Sequence, residues 1–206
     1  MPFPPRIPPT PLLPSTYSGA EDPAICRRCA DQGPTCCRLD PGQERFCFPL
    51  SVLEWERILD FAGEKGAFAQ EPNSQPFIDN VINLFPGERA LVEQLFPRVK
   101  HHLRLATTPD GRCVFLSPGG CLLPNEARPY YCRLFPIWIY GERLAMFTAD
   151  RCLAVRELRS IQNVLRAVGL SEAQARELHG RLRLAWGLPP KVGMELLQPS
   201  FRRYAR

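Results

Sequence analysis

The sequence predicts an α+β fold in which short β-hairpins alternate with helices. Two observations carry this prediction. Tight turn sequences rich in Gly, Pro and Asp divide the middle of the chain, and capping-box patterns begin helices on either side of it. Apolar residues make up 45% of the 206 residues, which is enough for a real core. We therefore expect one domain with hairpins at its centre and helices packed around them.

The first half of the chain contains two predicted helices. Ser51-Val-Leu-Glu54 is a capping-box pattern, and apolar residues at helical spacing continue from it to about Gly63. A second helix is predicted over residues 87–96, where Pro97 ends it or begins another. The pattern of residues 70–85 is ambiguous and predicts no element.

Hairpins follow. Alternating residues 102–107 and the return segment 112–116 flank Thr108-Pro-Asp-Gly111, which is a strong turn sequence. Ser117-Pro-Gly-Gly120 turns the chain again. After a short helix over 125–134, residues 136–140 and 144–148 predict a further hairpin around Gly141-Glu142.

Two helices are predicted to complete the fold. The amphipathic pattern of residues 151–168 predicts one helix, and Asp150 is expected to cap it. Ser171-Glu-Ala-Gln174 begins another that runs to about Trp186.

Cysteine is the most informative residue type in this chain. There are nine, and eight of them fall into two clusters at close spacing. Since thiolates gathered in this way are the strongest metal-ligand pattern in a sequence, the candidate ligands are the clustered cysteines: Cys26, Cys29, Cys36 and Cys37 in the first cluster, and Cys113, Cys121, Cys132 and Cys152 in the second.

The cellular compartment bears on this interpretation. The chain has no apolar run of membrane-spanning length, and its beginning has no signal-peptide core, so we expect no membrane partner and a cytoplasmic location. Thiols stay reduced there, and clustered cysteines then indicate metal or redox chemistry more often than disulfides. The odd cysteine count agrees.

The spacing of the cysteines does not identify the metal. Cys26 and Cys29 form a CxxC pair that can chelate one ion, but no second CxxC completes a zinc ribbon, and the ferredoxin run is missing. Adjacent Cys36 and Cys37 point to opposite sides in extended backbone, so they would serve different ions or different edges of a cluster. Eight thiolates fill two four-ligand sites, or surround one multinuclear site, with zinc or iron, including an iron–sulfur cluster.

Several blocks around these cysteines resemble the YkgJ-like cysteine-cluster family. The blocks are Cys26-x2-Cys29-x6-Cys36-Cys37, then Cys113-Val-Phe-Leu, Gly120-Cys121-Leu-Leu and Arg128-Pro-Tyr-Tyr-Cys132-Arg-Leu-Phe-Pro136, within residues 23–153. Members are described as zinc- or iron-chelating proteins, and some as iron–sulfur oxidoreductases. The resemblance implies a metal module with these cysteines as ligands, Cys152 being the last, and it does not imply a reaction.

The chain divides into three predicted segments. Residues 1–22 are a Pro-rich disordered tail, with seven prolines among the first fourteen residues, which offers a docking peptide for an unknown protein partner. Residues 23–153 form the cysteine-cluster metal-binding domain. Residues 154–206 form a basic helical extension packed on the same domain.

The charge pattern argues little about partners. The chain carries +5 overall, yet residues 1–150 hold 15 basic and 17 acidic side chains, and the remainder hold 11 and 4. Two zinc or [4Fe–4S] centres with four thiolates each would lower +5 to about +1. The C-terminal arginines fit solvated helix faces, including Arg183, and stacking aromatics are missing, so we do not expect nucleic-acid binding.

Other chemical residues have plainer interpretations. Cys47 is expected to be a buried core cysteine, His179 an exposed helix residue, and His101 or His102 at most an extra zinc ligand. Arginines next to clustered cysteines are candidates to offset thiolate charge: Arg27, Arg28, Arg38, Arg112, Arg133 and Arg151.

Three functions remain open from the sequence. The first is a metal-chelating protein with thiolate-ligated zinc or iron. The second is an iron–sulfur oxidoreductase, which would make the chain an enzyme, or an electron carrier. The third is a protein-interaction module that a structural zinc stabilises. No Ser/His/Asp arrangement, phosphate loop or HExxH motif points elsewhere.

Overall fold

A computed structural model of the protein describes residues 24–33, 35–40, 42–43, 47–63 and 67–191. Within these ranges the chain forms helices and short antiparallel strands, so the predicted α+β class is confirmed. The tail predicted over residues 1–22 lies outside the described residues. No helix in the described part of the chain has the length and apolar character needed to cross a membrane.

The helices carry most of the core. Their bounds are α1 (Ile25–Gln32), α2 (Val52–Ala62), α3 (Gln75–Leu84), α4 (Arg89–Leu95), α5 (Tyr130–Leu134), α6 (Leu153–Leu158), α7 (Ile161–Ala167) and α8 (Glu172–Ala185). The capping boxes predicted at Ser51 and Ser171 both form, with reciprocal bonds to Glu54 and Gln174. The ambiguous stretch 70–85 is resolved as the end of a strand followed by α3.

The strands pair in three two-stranded antiparallel sheets in the described residues. The pairs are β1 (Phe68–Pro72) with β2 (His101–Leu105), β3 (Leu116–Ser117) with β4 (Gly120–Cys121), and β5 (Ile137–Tyr140) with β6 (Arg143–Met146). The last two pairs enclose the predicted turns at residues 117–120 and 141–142. Thus two short hairpins form where the turn sequences indicated.

The predicted hairpin of residues 102–107 with 112–116 is only partly formed. The Thr108–Gly111 turn closes with a bond from the Gly111 amide to the Thr108 carbonyl (2.8 Å), and Thr107 bridges Cys113. However, β2 takes β1 as its strand partner, over five residue pairs. The strand β1 lies before α3 and α4 in the chain, and it pairs with β2 over more residues than the return segment 112–116 does. The turn sequence alone did not predict that pairing.

The prediction of a single helix over residues 151–168 is wrong in one respect. It is two helices, α6 and α7, separated by Arg159 in a left-handed conformation (φ 53°). Ser160 then caps α7 by accepting a bond from the Asn163 amide. Asp150 is not the cap of α6, because Cys152 occupies that position.

Two apolar clusters hold these elements together. The larger one joins α1, α3, α5 and α8 with the β5–β6 hairpin, and Trp138 lies inside it. A smaller one lies beneath the cysteine-bearing loops: Ile58, Ala67, Phe115, Leu123 and Ala127. Cys113 and Cys121 pack against this smaller cluster, whereas Cys152 lies in the larger one.

Two polar residues of α8 differ from their predicted exposure. Arg183 is 1% exposed and is bonded to Glu88 (2.7 and 2.9 Å) and to the Pro189 carbonyl. His179 is buried, and burial lowers the pKa of its imidazole to about 3. Both predictions of solvated positions were wrong, because α8 packs against α5 and β5 and is covered on more than one side.

Glu54 joins α2 to the segment that carries Cys132. The carboxylate is 1% exposed and accepts bonds from the Ser51 amide (2.9 Å), the Ser51 hydroxyl (2.7 Å) and the Tyr130 amide (2.7 Å). Tyr130 is the first residue of α5, so Glu54 satisfies an amide that a helix start leaves unpaired. One buried carboxylate thereby fixes two helix N-termini.

Replacing Glu54 by Ala should lower the free energy of unfolding by about 2–3 kcal/mol, because it removes the capping box and leaves the Tyr130 amide buried without an acceptor. Urea unfolding followed by circular dichroism measures this loss. Glu56→Ala is the matched control, since Glu56 is exposed on the same helix, and its effect should stay within about 0.5 kcal/mol. Equal losses in the two variants would contradict the role given to Glu54.

Candidate functional site

The two cysteine clusters meet through a backbone pairing. The Cys113 amide donates to the Cys37 carbonyl (2.9 Å), and the Leu39 amide donates to the Gly111 carbonyl (2.9 Å). Arg38 and Arg112 lie opposite each other in the same antiparallel bridge. Residues 37–39 and 111–113, which are far apart in sequence, are therefore held side by side.

Helix α1 places the remaining cysteines of the first cluster against the second. It packs on β4, where the backbone of Gly120 comes so near that an added Cβ would lie 3.5 Å from the Arg27 Cα. It also packs on α6, and the Cys29 thiol lies 3.7 Å from the Arg151 carbonyl, which it can donate to. Cys26 and Cys29 thus face the segments that carry Cys121 and Cys152.

Cys37 is the thiol that the others share as a neighbour. Burial, together with the Cys37 charge, raises the pKa of Cys26 to about 11 and that of Cys113 to about 12. The same charge acts on Cys132 and Cys152, whose pKa values burial also raises. Since charge effects weaken with distance, thiols of both clusters lie near Cys37.

The other two predicted ligands belong to the same group. Burial is the main cause that raises the pKa of Cys121, and Cys37 adds to it. Cys29 contributes to the raised pKa of Cys26 and of Cys152. All eight cysteines singled out in the sequence are therefore brought into one region by the fold.

Cys36 and Cys37 behave as an unequal pair. A hydrogen bond from the Cys36 thiol to the Cys37 sulfur lowers the pKa of Cys37 to about 7, and Thr35 adds to the effect while burial opposes it. The same bond raises the pKa of Cys36 well above the usual range for a thiol. Cys37 is therefore partly a thiolate at neutral pH while Cys36 keeps its proton.

Solvent access differs among the thiols. Cys26, Cys36 and Cys132 are exposed, Cys29 and Cys152 are buried, and Cys37, Cys113 and Cys121 are half-buried. Cys132 is exposed as a residue, yet protein atoms surround its thiol closely enough for burial to raise its pKa. The region thus has both an enclosed and an open side.

The donors in this region are sulfur atoms, which suit zinc, copper(I) and iron–sulfur clusters. Among the described residues, no group of three or more His, Cys, Asp or Glu side chains is arranged to hold a metal ion. The thiols are neighbours, and the prediction that they are metal ligands stays a prediction.

Four of the arginines next to cysteines pair with carboxylates. Their ion pairs are Arg28 with Glu157 (2.8 Å), Arg151 with Asp40 (2.6 Å), and Arg38 and Arg112 with Asp110 (3.6 and 2.8 Å). Each of these pairs either joins segments that carry cysteines or braces the turn at Asp110. Charge compensation of thiolates, the role that the sequence indicated for them, is not what these contacts provide.

Arg128 is an arginine whose charge acts on thiols of both clusters. Its Nε donates to the Leu123 carbonyl (2.9 Å), two residues after Cys121, and its charge lowers the pKa of Cys26, Cys37 and Cys121 against the opposing effect of burial. We did not single it out from the sequence, because it is four residues from Cys132. The sequence signal that could have indicated Arg128 is its place at the start of the Arg128-Pro-Tyr-Tyr-Cys132 block.

The remaining candidates fall outside the group of eight. Cys47 is half-buried beside Cys113 rather than buried in the core, so its predicted position was wrong. His102 is buried, with Nδ1 2.9 Å from the Asn73 side-chain oxygen and its ring stacked on Phe77 at 3.8 Å. Burial lowers its pKa to about 4. These contacts describe a core histidine.

The chain matches no protein-family model, and no curated protein or solved structure is similar enough to count as a match.

Replacing Gly111 by Ala should disturb the pairing between the two cysteine segments. Gly111 has φ +82°, and an added Cβ would lie 1.9 Å from the Leu39 carbonyl oxygen. Gly141→Ala is the matched control, because Gly141 has φ +65° but open space around it. We expect about 1 kcal/mol of lost stability in the control and about 2–4 kcal/mol in Gly111→Ala, measured by urea unfolding. Equal losses would mean that the contact with Leu39 does not matter.

The unequal cysteine pair predicts selective alkylation of the reduced, metal-free protein. At pH 7.5 iodoacetamide should label Cys37 before Cys36, and the rate at Cys37 should fall as the pH drops through about 7, because protonation removes the nucleophilic thiolate. Tandem mass spectrometry of the peptide containing both residues distinguishes them. Faster labelling of Cys36 would contradict the assigned hydrogen bond. So would a labelling rate at Cys37 that already falls as the pH drops through a value near 9.

Proposed function

We propose that this protein is a metal-chelating cysteine-cluster protein that binds zinc or iron, including iron in an iron–sulfur cluster, through thiolates. The proposed ligands are the eight clustered cysteines: Cys26, Cys29, Cys36, Cys37, Cys113, Cys121, Cys132 and Cys152. The cytoplasm, which keeps thiols reduced, is the proposed compartment.

The observation that carries the proposal is the convergence of two sequence clusters on Cys37. The clusters are separated by about 75 residues of chain, yet a backbone bond joins Cys37 to Cys113, and the Cys37 charge acts on six other thiols. Crowding many thiols around one sulfur raises their pKa values and disfavours the thiolate forms. A metal ion relieves this cost, because its positive charge stabilises the thiolates it binds.

The residues fit the proposed group by donor type. Soft thiolate ligands select zinc and iron–sulfur clusters over hard cations such as magnesium and calcium. Bound zinc would supply a closed structural crosslink, whereas an iron–sulfur cluster would supply a one-electron redox centre. The chain's own contribution is to hold the thiols together, through the α1–β4 and α1–α6 contacts and the ion pairs beside them.

The blocks that resemble the YkgJ-like family agree with this proposal. Cys113, Cys121 and Cys132 belong to those blocks, and each is a neighbour of Cys37 in the fold. Membership of that family is part of the proposal.

An iron–sulfur oxidoreductase or electron carrier is the alternative that solvent access favours. Cys26, Cys36 and Cys132 are exposed, so a centre held by them would be reachable by a redox partner or small molecule. If one of these three does not act as a ligand, a coordination position opens, as catalytic metal sites require. A zinc-stabilised interaction module would leave all positions closed and would bind its partner elsewhere.

The deciding experiment is anaerobic purification of the full chain, followed by an absorption spectrum and elemental analysis of the same sample. Iron and sulfide with a broad band near about 400 nm would support the iron–sulfur form. Colourless protein with about two zinc ions per chain would support the closed structural form. Folded protein without stoichiometric metal would overturn the proposal.

Single Cys→Ser variants should separate ligands from bystanders. Cys37→Ser and Cys132→Ser should lose about half of the bound metal or more, because each removes a ligand from a four-thiolate site. Cys47→Ser is the matched control and should keep the wild-type metal content, since Cys47 lies beside the group but outside the proposed ligand set. Metal content per folded chain, measured by elemental analysis, is the readout. An equal loss in Cys47→Ser would refute the proposed division.

A further inference from the structure

We propose that one side of α2 docks an acidic, amphipathic helix of a protein partner, with Arg57 bonding a carboxylate of that helix and Leu53 and Phe61 packing on its apolar residues. These three residues lie in one row along α2, which we call the α2 stripe. The stripe contains none of the proposed metal ligands, so the inference does not depend on a bound metal.

The α2 stripe follows from helical spacing. Leu53, Arg57 and Phe61 are four residues apart, so they lie on the same side of α2 over a length of about 12 Å. The helix packs into the molecule through Glu54 and Ile58, which are buried. Leu53 and Phe61, in contrast, are 64% and 53% exposed. A single exposed apolar residue is ordinary, but two that flank a cation in one row indicate a contact surface.

Arg57 lies between the two apolar side chains and is held in place by α5 and the residues before it. Its Nη2 donates to the Arg128 carbonyl (3.0 Å), and its guanidinium lies over the Tyr130 ring, 4.8 Å from the centroid. Its Nε is buried and has no hydrogen-bond partner. In the described ranges no ion pair joins Arg57 to a carboxylate, although Asp60 is exposed one turn further along α2. The guanidinium is therefore positioned before a partner arrives, and its charge is available to a partner.

A second guanidinium lies beside the α2 stripe. Arg133 follows Tyr130 by three residues on α5, which places the two side chains on one side of that helix. Helical side chains lean towards the N-terminus of their helix, which directs Arg133 towards Tyr130 and the Arg57 group above it. The Arg133 Nε is also buried without a partner. Because two like charges repel, a carboxylate from outside that bonds their terminal nitrogens would be favoured.

The order of side chains along the α2 stripe specifies the chemistry of the partner. It is apolar, cationic and apolar at four-residue spacing, so the complementary helix is apolar, acidic and apolar at the same spacing. A second copy of the chain is a poor match, because a symmetric contact between the two stripes would place Arg57 against Arg57. The chain's own residues 192–206 also match poorly, with one acidic and three basic side chains. The stripe therefore fits a separate acidic helix.

The test measures how a designed probe binds to the reduced full-length protein, by fluorescence anisotropy. The probe is a labelled, alanine-rich helical peptide with Leu, Glu and Leu at four-residue spacing, and a matched peptide carries Gln in place of Glu. We expect the Glu peptide to bind with a dissociation constant below about 1 mM. It should bind about 5-fold more tightly than the Gln peptide, and this difference should shrink at high salt.

Variants of the protein assign the binding to the α2 stripe. Arg57→Gln should remove the preference for the Glu peptide, and Phe61→Ser should weaken the binding of both peptides about 10-fold. Arg89→Gln and Val99→Ser are the matched controls, because they replace an exposed arginine and an exposed apolar residue outside α2. Both controls should bind the two peptides as the wild type does.

Several outcomes overturn the inference. They are no binding of the Glu peptide at about 1 mM, equal binding of the Glu and Gln peptides by the wild type, and control variants that lose as much affinity as the stripe variants. A dimer of the wild type that Phe61→Ser dissociates, seen by analytical ultracentrifugation, assigns the stripe to a second copy and also overturns it.

Folding of the variants is checked by circular dichroism. If Arg57→Gln is unfolded, the Glu and Gln peptides on the wild type still test the charge, and Leu53→Ser provides the second stripe variant. Because Leu53 is largely exposed, we expect Leu53→Ser to fold and to weaken the binding of both peptides. Wild-type affinity in Leu53→Ser would overturn the inference.

Discussion

The pairing of residues 37–39 with residues 111–113 is the interaction on which the candidate site depends. It consists of two backbone bonds between segments about 70 residues apart, and it succeeds because Gly111 leaves room for the Leu39 carbonyl. Without it, Cys37 and Cys113 would belong to unconnected loops. The contacts of α1 with β4 and α6 then bring Cys26 and Cys29 next to the segments that carry Cys121 and Cys152.

This arrangement creates an electrostatic problem that the chain solves in part. Eight thiols in one region oppose one another's ionisation, and burial raises the pKa values of most of them. The chain counters this only locally, through the Cys36 hydrogen bond to Cys37 and the Arg128 charge. The carboxylates of Glu157 and Asp40 are held in ion pairs with Arg28 and Arg151. Under the proposed function, a bound cation would offset the repulsion that remains.

Local sequence patterns predicted the helices that begin with a capping box and the hairpins that contain a tight turn. Ser51 and Ser171 begin α2 and α8 because a capping box is satisfied within four residues. The β5–β6 hairpin is also local, because the turn at residues 141–142 directly joins its two strands. Predictions failed where a distant segment decided the outcome. Pairing of β2 with β1, and burial of Arg183 against Glu88, both depend on residues that no local pattern connects.

The sequence by itself determined which donor atoms this protein can offer: nine cysteines, eight of them in two clusters at close spacing. Spacing is a property of the chain, so the donor type could be inferred without a fold. Only the tertiary structure decided that both clusters meet at Cys37, and that four of the arginines adjoining the cysteines pair with carboxylates. The physical reason is that a side chain's partners depend on distances in space, and these are set by packing among elements far apart in sequence.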